Sequence, residues 1–420
     1  MSQRPPLIHA NSERFWAWLM ALAERTEPDR PYTRRSFTPR FDAGRDWLRQ
    51  QMQALNLVVS VDAAGNLIGR QPGTQSDLGT LVIGSHSDSV PGGGRFDGMA
   101  GIIAGLECVA RLQELGYQPR HAIEVVDFLA EEPSEWGISC VGSRGITGFL
   151  DARMLTTPHP QSGETLAAAI TRIGGRPDAL TRRRDVAACL ELHIEQGAVL
   201  EHEALDIGVV SSIVGILRLT LSFTGQAAHA GTTPMDIRRD ALVAANRTAW
   251  LANQQALALA ERSGHYLTAT VGQITVQPGA SNVVPRLAQL VFDIRSDDRS
   301  VMDQFASQLE HIAQESAQLA RVALSQFERM TDTHPTQCDT HLMALIANAS
   351  DALGLRHRCM PSGAGHDAAF MAHIAPTAMV FVPSEGGRSH SADEWTSPEQ
   401  FAKGVSVLIN TVLAIDQGQR

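Results

Sequence analysis

The sequence predicts an α/β fold, a sheet covered by helices, carrying a compact α+β insert of ferredoxin-like type. Three observations predict it. Apolar strands alternate with helix-spaced segments through the first half of the chain and return at its end. Between about 213 and 329 the order changes to βαββαβ, which suits a ferredoxin-like sandwich. Four separate apolar strands each deliver a histidine or carboxylate at or beyond the carboxyl end, where open α/β sheets bind ligands.

Each element has its own signal. Residues 12–25 have helical spacing, with Phe15, Trp18, Leu19 and Leu22 on one face. Residues 45–55 read as a second helix. Strands follow at 80–84, 122–130 and 189–192, with a helix at 101–115. A strand at 377–382 and a helix at 398–415 close the chain. Inside the insert, 215–223 alternates as a half-buried strand. Residues 234–261 read as a long helix with Pro234 in its first turn. Strands at 267–276 and 287–294 flank a turn at Pro278 and Gly279. A helix at 301–318 and a strand at 321–327 complete the unit. Two domains result: one discontinuous, 1–212 with 330–420, and one inserted, 213–329.

Composition narrows the function classes. The chain has 420 residues, room for two or three domains at roughly 100–200 residues each. The formal net charge of -10 offers no field to hold a phosphate backbone, so no nucleic-acid partner is expected. Arg182, Arg183 and Arg184 form a basic run that reads as a solvated loop. Met1 to Ala10 lack the apolar core of a leader peptide, and no run of about 18 apolar residues predicts a membrane span. Five scattered cysteines without a C-x-x-C pair read as reduced thiols in the cytoplasm.

The chemistry lies at the strand ends. Residues 80–84 run into Ser85-His86-Ser87-Asp88. The strand at 122–130 runs into Glu131-Glu132, and that at 189–192 into His193-Ile194-Glu195-Gln196-Gly197. The strand at 377–382 is followed by Ser389-His390-Ser391. Imidazole and carboxylate groups suit zinc, manganese or cobalt. His86, His193 and His390 are therefore read as ligands. Asp88, two residues beyond His86, shares its face in an extended chain and is read as the acceptor of the other ring N–H. The glycine-rich run from Pro91 to Gly98 lacks the G-K-[ST] ending of a phosphate loop. It reads instead as a flexible turn that brings Asp97 back to bridge two metals. Glu131 and Glu132 point opposite ways if extended, so one can bind metal while the other works as a base.

The segments G-S-H-S-D-S-V-P-G-G-G-R-F-D-G, E-E-P-S-E-W-G, L-H-I-E-Q-G and G-R-S-H-S-A-D-E resemble those of M20-type amidohydrolases. More narrowly they are similar to the hydantoinase/carbamoylase branch, which includes N-carbamoyl-L-amino-acid hydrolase, allantoate amidohydrolase and ureidoglycolate amidohydrolase. The resemblance runs from about Arg45 to Leu413. Asp97 follows His86 by only 11 residues, against a much longer gap in the peptidase branches. It implies an M20-type zinc-peptidase-like catalytic domain with an inserted dimerisation or lid domain. It implies two divalent ions per subunit, zinc first, with manganese, cobalt or nickel as alternatives. His86, Asp97 and His193 would hold one, and Asp97, Glu132 and His390 the other.

By the same resemblance Glu131 is the general base. His229, in Gln226-Ala227-Ala228-His229-Ala230-Gly231, stabilises the tetrahedral intermediate, from the partner subunit of a homodimer. Asn282 and Arg295 grip a substrate carboxylate, with Gln196 and Arg218 as further substrate contacts. His366 supports the pocket wall. The implied reaction cleaves the C–N bond of a small carboxylate-bearing N-carbamoyl or ureido compound, releasing ammonia and carbon dioxide. Pro133 after the glutamate pair departs from allantoate-cleaving relatives, which more often carry glycine there. An aminoacylase or dipeptidase of the same superfamily, and a metal-binding relative without catalysis, remain the alternatives.

Overall fold

A computed structural model describes residues 7–419. The leader-peptide reading therefore concerns residues that lie largely outside it. Two compact units form, one reaching to Ser211 and resuming at Gln337, the other Ser212–Thr336. The second unit ends later than 329 because its last strand, Ala323–Asp332, runs on past that point.

In the first unit a nine-stranded mixed sheet carries the core. At its centre four strands lie side by side and parallel: Ala122–Phe128, Thr80–His86, Val186–Ile194 and Thr377–Val382. All but Ala187 are buried throughout, as expected of parallel strands covered on both faces. Helices Met99–Glu114 and Pro398–Asp416 bury most of their residues against this sheet. The sequence missed the edge hairpin Val58–Val61 with Leu67–Gln71, whose strands are short. It also missed the helices Val141–Thr147, Leu166–Arg172 and Thr340–Ala352.

The expected helix at 45–55 begins earlier. The Thr38 side chain accepts from Phe41 N–H and Pro39 fits the first turn, so the helix is Pro39–Ala54. Arg45 on it is buried and donates to Asp127 Oδ2 at 2.8 Å. Arg183 is not the solvated residue expected: it is half-buried and pairs with Glu124 at 2.6 Å and Asp185 at 2.7 Å.

The second unit has strand order 323–332, 215–224, 287–296, 267–277, all antiparallel. That is the ferredoxin-like order read from βαββαβ. Leu217, Leu219, Leu221 and Phe223 alternate onto one face and pack with Leu290, Phe292 and Ile294. Each such side chain contributes about 1.5–3 kcal/mol by burial. The long helix is Ala241–Ser263, not 234–261. Asp240 caps it through Leu242 and Val243 N–H, and Pro234 precedes a separate short turn, Met235–Ile237. The Asp side chain outcompetes the proline as the start signal because it supplies the missing acceptor. The last strand starts at Ala323 rather than Arg321, which turns the chain at φ 58°.

Among the described residues no helix is long and apolar enough to cross a membrane. Cys108, Cys140, Cys189 and Cys338 are buried and unpaired, and Cys359 is exposed.

Candidate metal centre

The four parallel strands end at one edge of the sheet, and their ends gather the histidines and carboxylates. His86, Asp97 and His193 place ligand atoms within 4.8 Å of one another, and so do Asp97, Glu132 and His390. Asp97 belongs to both groups. Its Oδ1 lies 3.1 Å from His193 Nε2 and 3.7 Å from His86 Nε2. Its Oδ2 lies 3.1 Å from His390 Nε2, which is 3.4 Å from Glu132 Oε1. One carboxylate thus presents one oxygen to each group, the arrangement a bridging ligand needs. A third group, Glu191, His193 and His366, overlaps the first.

Backbone carbonyls select the ligand nitrogens. His86 Nδ1 bonds the Asp88 carbonyl at 3.0 Å, and His193 Nδ1 bonds the Ile194 carbonyl at 2.9 Å. Each Nδ1 then carries a proton and each Nε2 faces Asp97, so that on losing its own proton it would offer its lone pair to a cation there. This corrects the reading of Asp88: its main-chain oxygen holds the ring, while its carboxylate stands 3.5 Å away and accepts Glu131 N–H at 3.2 Å. Gly98 makes the close approach possible. It sits at φ 70°, and a methyl group there would overlap the His86 ring.

Glu131 and Glu132 do diverge, but not because they are extended. The strand stops at Phe128 and Ala130 adopts φ 51°. From that turn Glu131 Oε2 comes within 3.7 Å of His86 Nε2, while Glu132 faces His390. Gln196 at φ 59° and His390 at φ 53° are likewise left-handed. Three strained backbone positions at one site persist only where surrounding structure enforces them.

Burial and crowding set the charges. Burial, with Glu132, Asp367 and Asp88 near it, pushes the Glu131 carboxyl well above the usual range, against the pull of His86. Burial and Asp97 push Glu132 up to about 7. The bond to Asp97 lifts His390 to about 9. Burial opposes ionisation of Asp97, yet the bonds from His193 and His390 hold it well below the carboxylate range. A set of three carboxylates and three imidazoles, all buried but His390, that perturb one another this strongly fits divalent cations, whose charge would relieve them.

Gln196, expected to touch substrate, donates through Nε2 to Asp97 Oδ2 at 2.8 Å and to Ser389 Oγ at 3.3 Å. His366 stacks edge-on against His193 at 4.5 Å, and Ser362 Oγ lies 2.8 Å from its Nε2. The glycine run is not a free turn. Phe96 and Asp97 N–H donate to Glu394 Oε1 at 2.7 and 3.2 Å. The sequence reading missed Glu394, which lies in the motif around His390 but carries no mark that distinguishes it from a solvated glutamate.

The other residues expected to contact substrate lie in the second unit. His229 is exposed and pairs across a short ladder with Val283, beside Asn282, whose carbonyl accepts Ala230 N–H at 2.9 Å. His229 Nδ1 accepts from Gly231 and Thr232 N–H at 3.1 and 3.2 Å. The proton must then sit on Nε2, which can donate outward. Arg295 and Arg218 share Asp293. Arg295 Nε bonds Oδ1 at 2.7 Å, and Arg218 Nε bonds Oδ2 at 3.1 Å. Two guanidinium groups thus share one carboxylate across neighbouring strands. Asp293 was also missed, although it stands two residues before Arg295 on the same face.

A mixed sheet with this ligand cluster and a ferredoxin-like insert defines a class, and comparison agrees: the chain belongs to peptidase family M20/M25/M40, matched over residues 82–414. Within it, the chain is 36% identical to an N-carbamoyl-L-amino-acid amidohydrolase of Paenarthrobacter aurescens, over 98% of this chain and 100% of that one. It is 34% identical to a ureidoglycolate hydrolase of Arabidopsis thaliana, over 92% and 82%. A solved hydantoinase/carbamoylase-family amidase of Burkholderia multivorans superposes with a TM-score of 0.91 at 35% identity, covering 97% of this chain and 98% of that one.

Proposed function

We propose that this chain is a two-metal amidohydrolase that cleaves the C–N bond of a small carboxylate-bearing N-carbamoyl or ureido compound. The observation that carries the proposal is Asp97, which offers one oxygen to each of two ligand groups while Glu131 stands beside them in neither group. His86, Asp97 and His193 would hold one ion, and Asp97, Glu132 and His390 the other. Zinc suits this donor set, and manganese, cobalt or nickel share it. Divalent ions bound there supply Lewis acidity to the scissile carbonyl and acidify water. Glu131 takes the proton of the attacking water and delivers it to the leaving nitrogen. His229 donates from Nε2 to the developing oxyanion. Arg295, with Asn282 and Arg218, orients the substrate carboxylate through its planar fork. The unpaired cysteines support a reducing compartment, the cytoplasm.

The homodimer is part of the proposal. On helix Ala241–Ser263, Val243, Trp250 and Leu257 are 55%, 65% and 62% exposed and recur every seven residues, so they form one apolar stripe. Next to that helix, strand Leu267–Gln277 is a sheet edge with Ile274 exposed. A two-fold axis at this edge pairs the strand antiparallel with its own copy. A second chain is therefore the occupant that fits both features.

Ammonia release from N-carbamoyl amino acids, ureidoglycolate and allantoate tests the substrate class, with matched amides that lack the carboxylate. The carboxylates should turn over and the amides should not. Hydrolysis of dipeptides or N-acyl amino acids alone would contradict the proposal.

A further inference from the structure

Glu394 is 0% exposed and binds two loops that carry metal-site residues. Its Oε1 accepts the N–H groups of Phe96 and Asp97 at 2.7 and 3.2 Å. Its Oε2 lies 3.1 Å from Ser389 Oγ, and that hydroxyl also lies 3.2 Å from Asp97 Oδ2. One carboxylate thus ties the Asp97 loop to the His390 loop. Packing around it is close. Gly94 runs past at φ 109°, and a methyl group there would overlap the Glu394 carboxylate. Phe96 and Trp395, the residues flanking the joint, lie edge-on with centroids 5.8 Å apart. Trp16 lies against both, at 5.7 and 5.5 Å.

The two ligand groups differ in how much they need such a joint. His86 and His193 end buried strands, and each is oriented by a backbone carbonyl within two residues of it. His390 sits on a loop, with a side chain 49% exposed, and the position of its ring depends on the path of that loop.

We propose that Glu394 is a positioning residue that holds the Asp97 and His390 loops in register, so that the ligand group Asp97, Glu132 and His390 is preformed. This deepens the two-metal reading and rests on it. The claim is asymmetric. Removing Glu394 frees the His390 loop most; Asp97, shared by both groups, keeps its contacts with His193 and Gln196, so the group built on His86 and His193 weakens less.

Zinc titration of the metal-stripped full-length protein against a competing chelator tests this, with metal content per chain and thermal midpoint measured in parallel. Wild type should bind two ions. In Glu394→Ala the weaker site should lose roughly 10–100-fold in affinity while the tighter site loses less. Glu394→Gln keeps an amide oxygen for the Phe96 and Asp97 N–H groups and an NH2 for Ser389, so it should recover most of the loss. Gly94→Ala displaces the carboxylate without removing it and should behave like Glu394→Ala; it keeps the test decisive if Glu394→Ala fails to fold. Unchanged two-site binding in Glu394→Ala, equal weakening of both sites, or a Gln variant as weak as the Ala variant would overturn the proposal. Wild type that binds fewer than two ions would overturn the two-metal reading itself, and this inference with it.

Discussion

Glu131 and Glu132 are neighbours in the chain, yet the turn at Ala130 sends one toward His86 and the other toward His390. The proposed roles differ accordingly, and a single isosteric change separates them. Glu131→Gln should retain both ions and lose about 10²–10⁴-fold in turnover, the usual share of a general acid–base group. Metal analysis beside the rate checks it; loss of metal together with activity would exchange the roles of the two glutamates. At this scale the sequence was most legible where a residue follows an apolar strand. His86, His193 and His390 were read from position, Asp97 from the glycine turn that precedes it, and Glu132 over Glu131 from the family resemblance; the structure brings the five together. Glu394 and Asp293 were not legible. Glu394 is buried against loop N–H groups brought near by tertiary folding, and nothing local marks it; Asp293 stands two residues from Arg295, but its other partner, Arg218, comes from the neighbouring strand.

Among the elements, long periodic segments were legible and short ones were not. The strand Thr377–Val382 matches its apolar run because both ends are punctuated, by Pro376 and Pro383. The short helices near 141–172 carry too few turns to show a period. The closing helix Pro398–Asp416 shows how an element is fixed by one side chain. Asp416 accepts the N–H groups of Arg120 and His121 at 2.9 and 2.7 Å, and the Tyr117 hydroxyl at 2.7 Å, joining the helix end to the start of strand Ala122–Phe128. Burial opposes its ionisation, but these donors outweigh burial and hold the carboxyl below its ordinary value. A depressed native value contributes stability above the unfolded value of about 3.9 and loses it as pH falls through the native one. Asp416→Asn should therefore cost roughly 1.5–3 kcal/mol at neutral pH. In chemical denaturation the gap from wild type should shrink as pH drops below about 4. A gap independent of pH would show that the charge plays no part.

For the molecule as a whole, the insert was legible because βαββαβ order leaves few topologies, and its strand order followed. Its exposed stripe was not, since the sequence does not tell a solvent face from a contact face. Trp250→Glu should convert the proposed dimer to a folded monomer, seen as a halved mass by light scattering with an unchanged far-ultraviolet spectrum. A variant that stays dimeric would move the interface elsewhere. The central claim is that hydrolysis needs both ligand groups filled. The most direct measurement is ammonia release from a carboxylate-bearing N-carbamoyl substrate as zinc is returned stepwise to the stripped protein. Activity should be absent without metal and reach its plateau as occupancy approaches two ions per chain. Full turnover in metal-free protein, or a plateau at one ion with the His390 group empty, would contradict the account.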